Sequence, residues 1–316
     1  MKTMIAFTIS FTFLLFLGTA CKKSTNPEPG QGPSGYSWEI QISGVTTPIN
    51  AVTAVDNNHV WAVGLGGTIL FYNGTSWTQD PQSGVVTDQN LWSVFALDNN
   101  HIWAVGYDAV VIFYDGATWS QAYAEPGSDH DLFKVFALNP DFVLAVSMSG
   151  HILSKTDSVT WDWIDIGYGA NLFSLYIHDS NHIWVAGEDI FFFDGAVWSI
   201  ADTTASTMGG INGTSLSQIW CVGADGLIRY FNGTIWVTQN SGTDNILRDV
   251  LPLNSNTAFA VGDDDTNTKG TLLYYTGTHW VPDILGTTGN LFGIATYDKS
   301  RVWVVGDHGT ILMGKK

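Results

Sequence analysis

At 316 residues, with 13% charged and 13% aromatic side chains, the chain is long enough for two ordinary domains and too apolar to be disordered. Its 29 Asp and Glu against 12 Lys and Arg give a formal charge of −17. That surface repels nucleic acid and anionic headgroups, and no basic, aromatic-interleaved patch offsets it, so nucleic acid is excluded as a partner. No cofactor motif stands out, and no cofactor is expected.

In chain order, Met1 to Ala20 carries Lys2, an apolar run from about Ile5 to Leu17, and Gly18-Thr19-Ala20 before Cys21. This is the layout of a cleaved signal peptide, too short to span a membrane. The Leu-Gly-Thr-Ala-Cys ending resembles a bacterial lipoprotein signal, in which the Cys becomes the acylated first residue. It departs from that pattern in having Gly18 where a bulky aliphatic residue is expected. The resemblance implies lipidation at Cys21 and a lipid-anchored place in the bacterial cell envelope, at the outer membrane; an unmodified Cys21 would leave a secreted protein. Residues 21–35 are rich in Pro, Gly and Ser and read as a flexible tether. Cys221, inside a strand of the repeat, reads as a small buried apolar residue without a disulfide partner.

From residue 36 to 316 one unit recurs. Its core strand appears as Trp61-Ala-Val-Gly64, Trp103-Ala-Val-Gly106, Leu144-Ala-Val-Ser147, Trp184-Val-Ala-Gly187, Trp220-Cys-Val-Gly223, Phe259-Ala-Val-Gly262 and Trp303-Val-Val-Gly306. An apolar segment precedes each copy: Ile49–Val55, Leu91–Leu97, Leu132–Leu138, Leu172–His178, Ile211–Ser217, Leu247–Leu253 and Leu291–Tyr297. A third short strand follows, then a turn and a last strand led by Trp, as in Asn73-Gly74-Thr-Ser-Trp77 and Asp115-Gly116-Ala-Thr-Trp119. Asn-Gly and Asp-Gly between apolar runs signal hairpins, because both residues tolerate positive φ. Four strands per period, seven times over, predict an all-β, seven-bladed β-propeller. The closing Trp occurs at Trp77, Trp119, Trp161, Trp198, Trp236 and Trp280, and the missing copy is Trp38 near the other end. The N-terminal strand is therefore expected to complete the last blade and close the ring, removing free sheet edges. A monomer is expected.

The Trp-x-Val-Gly, Gly-Thr-Ile-Leu and Gly-x-x-Trp elements, seen together in Trp61 to Trp77 and again in Trp303 to Leu312, resemble the repeats of the photosystem II stability factor (Ycf48-like) family. More loosely, they resemble sialidase-type Asp-box (BNR) repeats. The resemblance implies a seven-bladed propeller over about residues 36 to 316 and says little of function, since these are scaffold positions. Sialidase chemistry needs three arginines around one carboxylate, whereas Arg229, Arg248 and Arg301 fall in three different parts of the repeat. The sequence argues against that activity.

Two function classes remain. The loops between second and third strands and those between blades share one face and hold most of the acidic residues. A glycoside hydrolase would use two of these carboxylates. Asp263 to Gly270 offers oxygen ligands at alternate positions, as a calcium loop does, but lacks the later bidentate Glu; a solvated hairpin loop and no metal are expected. His59, His101 and His182 recur at one turn position on the opposite face. Once repeat positions are subtracted, Trp92 and Trp163 are left over. Trp92 is the second residue of an innermost strand, where other blades place Asn50, Phe133, Phe173, Asn212, Arg248 and Phe292. An aromatic arc with one Arg at the channel mouth, ringed by acidic loops, predicts a non-catalytic binding site for a protein segment or glycan at Trp92, Phe133, Phe173, Arg248 and Phe292.

Overall fold

A strand that is apolar at every position needs a neighbour on both faces. The seven Trp-x-Val-Gly-type strands, from Val60–Gly64 to Arg301–Gly306, meet this requirement, being buried throughout apart from the first residue in six of them. The computed structural model describes residues 32–264, 269–283 and 289–316. The signal-like segment, Cys21 and most of the tether lie outside these residues, as does the middle of the Asp263–Gly270 stretch.

The described residues form seven four-stranded antiparallel sheets, each a meander running outward from the channel. In the last sheet the outermost strand is Ser37–Gln41, paired in register with Ile311–Lys315. The all-β, seven-bladed propeller and its closure by the N-terminal strand are as the repeat predicts. Ordered contacts extend slightly further back: Ser34 is buried and its hydroxyl donates to Asp283 Oδ2 at 2.5 Å.

The core lies between the blades. Trp61, Val63 and Ile69 of the first blade pack with Leu91, Ile102, Ile112 and Trp119 of the second. The second-strand Trp of one blade meets the closing Trp of another edge to face: Trp61 with Trp119 at 5.5 Å, and Trp303 with Trp77 at 5.4 Å. Such pairs explain why both tryptophans recur, since each is half of an inter-blade contact. Cys221 is fully buried, and burial pushes its thiol well above its usual range, leaving it inert.

The two faces use different turns. On the face away from the acidic loops, Asn73, Asp115, Asp194 and Asn232 each accept two backbone N–H bonds at 2.8–3.0 Å. Only the following glycine is left-handed, with φ between 90° and 96°. The hairpins are as the sequence predicts, with the Asx residue serving as a side-chain acceptor and only the glycine using the positive φ that both residues tolerate. On this face too, His59, His101 and His182 bind the Asp three residues earlier at 2.8–2.9 Å. Each histidine is spent on locking its own turn. On the opposite face, the second-to-third strand connections of five blades hold two consecutive left-handed residues, Gly66-Gly67, Asp108-Ala109, Ser149-Gly150, Asp225-Gly226 and His308-Gly309. That is the signature of a type I′ turn, which follows the strand twist.

Candidate functional site

The site is built from one backbone irregularity repeated around the ring. In every blade the innermost strand pairs its first residue with the Gly or Ser ending the second strand, then skips a residue before pairing resumes: Leu91 opposes Gly106 and Ser93 opposes Val105. The same shift occurs after Ile49, Leu132, Leu172, Met208, Leu247 and Leu291. A bulge re-aims the extra residue out of the ladder. The seven residues so released are Asn50, Trp92, Phe133, Phe173, Gly209, Arg248 and Phe292, and all seven line one cavity of about 620 Å³.

Trp92, Phe133, Phe173, Arg248 and Phe292 are thus brought together. Asn212 is not at the channel mouth. The fifth blade's inner strand begins at Met208, so its second residue is Gly209, and Asn212 lies deeper with its amide donating to the Val250 carbonyl at 3.3 Å. The apolar pattern misplaces this strand because Met208-Gly209-Gly210 presents only one bulky side chain before Ile211. With no side chain at Gly209, the ring is open on that side.

The aromatic members are contiguous. Phe133 meets Phe173 edge to face at 5.4 Å, Trp92 lies 6.4 Å from Phe133, and Tyr107 abuts Trp92 at 5.4 Å. All are partly exposed toward the opening. The indole N–H of Trp92 has no acceptor among the described residues, but the same holds for Trp77, Trp119 and Trp220 in the blades, so this donor does not mark a site.

Arg248 lies 5.5 Å over the Phe292 ring and is held by Asp263, with Nε at 2.7 Å and Nη2 at 2.5 Å from one carboxylate oxygen. Asp263, within the stretch read as a calcium-like loop, is thereby committed to an arginine. One residue deeper, Lys134 of the third blade reaches across the channel to Asp249 of the sixth at 3.6 Å. Asp249 also accepts the Ile294 N–H of the next blade, as Ser93 and Ser174 accept those of Val135 and Ile211. These bonds stitch neighbouring blades beneath the cavity and give it a rigid floor.

Tyr107, Leu65, Ala224 and Asp307, each the first residue after a second strand, form an upper tier; of these the sequence marks only Asp307, as one of the acidic loop residues. The available signal was the residue following each Trp-x-Val-Gly. Trp163, the other unexplained tryptophan, is accounted for elsewhere: its indole donates to Glu125 at 3.0 Å in a cluster between the second and third blades. The Tyr123 hydroxyl also donates to Glu125. Bonds from Tyr123, then Trp163, hold the Glu125 carboxyl below its usual range, while burial and the Glu125 bond push Tyr123 up to about 12.

The three arginines stand apart. Arg229 binds Asp202 through Nε and Nη2 at 2.7 and 2.8 Å on the outer part of the fifth blade, and Arg301 donates to the Asn57 carbonyl at 2.8 Å on the far face. They cannot form a sialidase triad.

Fold and mouth together define a seven-bladed propeller with a bulge-lined cavity over its central channel. Solved structures share this architecture at low identity. YCF48 bound to D1 peptide has a TM-score of 0.71 and 19% identity over 88% of this chain and 97% of that one. YCF48 from Cyanidioschyzon merolae gives 0.68 and 17% over 87% and 98%, and a streptogramin B lyase gives 0.76 and 13% over 89% and 97%. No family model and no curated protein matches the sequence. The likeness is therefore one of fold.

Proposed function

We propose that the protein is a non-catalytic binding module whose channel mouth takes a protein segment, and that it works in the bacterial cell envelope, held there by an acylated Cys21. The observation that carries the binding reading is the convergence of seven bulged residues on one cavity walled by Trp92, Phe133 and Phe173. Rigid aromatic side chains at the centre of a concave site are what segment recognition uses, because they offer large contact area at small entropic cost. YCF48, a protein of similar structure, is bound to D1 peptide, which supports a protein segment as the partner.

The glycoside hydrolase reading fares less well. Among the described residues, Asp131 is the loop carboxyl pushed above its usual range, first by burial and then by Asp108 and Asp129. It does not line the channel cavity, so a perturbed acid and the aromatic arc are not combined in one cleft.

The test is retention of a partner by the immobilised wild type against Trp92→Ala and Arg248→Ala forms whose melting temperatures match it. Loss of a central aromatic anchor should weaken binding by about 2 kcal/mol, roughly thirtyfold. Equal retention by all three proteins overturns the site. Reducing sugar released from a polysaccharide panel would favour the hydrolase instead. The anchor is tested separately: Cys21→Ser should move the protein from the detergent phase to the aqueous phase, and unchanged partition would remove lipidation from the proposal.

A further inference from the structure

The charge around the mouth is unbalanced in a way that specifies the occupant. The residues following the second strands are Leu65, Tyr107, Met148, Glu188, Ala224, Asp263 and Asp307, and the next positions around the ring are Gly66, Asp108, Ser149, Asp189, Asp225, Asp264 and His308. Apart from Asp263, which is paired with Arg248, and its neighbour Asp264, five of these are carboxylates, Asp108, Glu188, Asp189, Asp225 and Asp307, and none is Lys or Arg. The cations beneath are already matched, Arg248 by Asp263 and Lys134 by Asp249. Lys269, in the same connection as Asp263, is the remaining described lysine on this face; Lys155, Lys299, Arg301, Lys315 and Lys316 sit at the other ends of the blades. A low-dielectric cleft walled by aromatic rings and rimmed by carboxylates focuses negative potential into the cavity.

The rings themselves show what such a wall accepts. Phe292 already carries the Arg248 guanidinium on its face. Trp92, Phe133 and Phe173 have no cation of the chain over them among the described residues. A ring face carries negative quadrupole charge, and a Lys or Arg placed against an aromatic wall is held most strongly where water is excluded. Gly209, in the blade next to Phe173, leaves the ring without a side chain at the end of this wall, so an extended backbone has room to lie beside it.

We infer that the segment taken at the mouth is cationic: an extended peptide that lays a Lys or Arg side chain against the Trp92–Phe133–Phe173 arc and has its charge met by the rim carboxylates, among them Glu188 and Asp307. This rests on the segment-binding reading and adds the chemistry of the partner. An acidic or neutral segment would meet repulsion at the rim, or leave the rim charge unmatched.

The experiment selects from a library of acetylated, amidated decapeptides, with Lys, Arg, Glu, Gln, Leu and Tyr equally represented at each position, on immobilised wild-type protein and on Trp92→Ala in parallel. Peptides retained by wild type and lost by Trp92→Ala should be enriched in Lys or Arg. Replacing the enriched Lys by norleucine should weaken the best peptide about tenfold by calorimetry. The combined Glu188→Gln and Asp307→Asn substitution should weaken that peptide severalfold and leave its norleucine form unchanged, and raising the salt from low to half-molar should act in the same direction. If the selected peptides show no basic bias, or tolerate norleucine, the cationic inference falls and the segment-binding site stands. If no peptide distinguishes wild type from Trp92→Ala, both fall.

Discussion

Gly106→Ala is expected to destabilise the protein by about 3 kcal/mol, at the upper end of the cost of overpacking, and to lower the melting temperature by several degrees. A β-carbon built at Gly106 would lie 1.9 Å from the Asn90 carbonyl oxygen and 3.0 Å from the Leu91 Cα. Both are backbone atoms and cannot turn aside as a side chain would. At the equivalent Gly64, Gly223 and Gly306 the backbone is extended, with φ of −161°, −164° and −172°, so what glycine supplies there is close approach and not an unusual dihedral. The consequence reaches the site, because Asn90 and Leu91 lead directly into the bulge that presents Trp92. Binding at the mouth should therefore weaken even at temperatures where Gly106→Ala is fully folded. Gly116→Ala in the same blade is the control. It sits on the far face at φ 96°, and its nearest contact is the movable Asn100 side chain. It should cost about 1–2 kcal/mol through backbone strain and leave binding untouched. Thermal melts of the two variants beside a peptide titration check this, and a Gly106→Ala protein that melts with the wild type overturns the argument.

The contrast between these glycines shows what was readable in the sequence. Core strands announce themselves because both faces are buried, so nearly every position is constrained to be apolar, and the Trp pairs recur because each joins two blades. Blade count and ring closure follow from that periodicity. The bulge did not show, since it is a feature of pairing between two backbones and leaves no residue type behind: Asn, Trp, Phe, Gly and Arg all occupy it. Trp92 could be singled out because it broke the repeat, and its position was right because its strand begins with a clear Leu. In the fifth blade the same reasoning slipped by three residues at Met208-Gly209-Gly210. The Lys134–Asp249 pair was out of reach altogether, because residues 115 positions apart become neighbours only once the ring has closed. The acidity of the loop face was legible as composition. That Arg248 and Lys134 are both already matched, which makes the imbalance meaningful, depends on pairings that form only in the folded ring.

Closure itself gives the other large effect. Removing residues 32–41 should unfold or aggregate the protein near room temperature, because it takes away the fourth strand of the last blade and a piece of core. Tyr36 is 1% exposed and packs with Leu251, Phe259, Leu291 and Leu312 across the sixth and seventh blades. Its hydroxyl donates to the Lys299 carbonyl at 2.5 Å, and burial pushes its pKa up to about 12, so it stays a donor throughout the ordinary pH range. Trp38 covers Gly314, where a β-carbon would lie 2.9 Å from the indole, and donates to Asp283 at 3.1 Å. Without Ser37–Gln41, the backbone of Ile311–Lys315 becomes an open edge, the template for chain-to-chain pairing that a closed ring avoids. Graded variants separate the contributions. Tyr36→Phe loses only the hydroxyl bond, about 1 kcal/mol. Tyr36→Ala leaves a cavity between two blades and should cost about 3–5 kcal/mol. A synthetic peptide of residues 32–42, added to the truncated protein, should raise its melting temperature and return it to monomer on size exclusion, since it restores the missing edge pairing. A truncated protein that stays monomeric and melts within a degree or two of wild type would mean that the ring holds without its closing strand, and that the blade-to-blade core alone carries the fold.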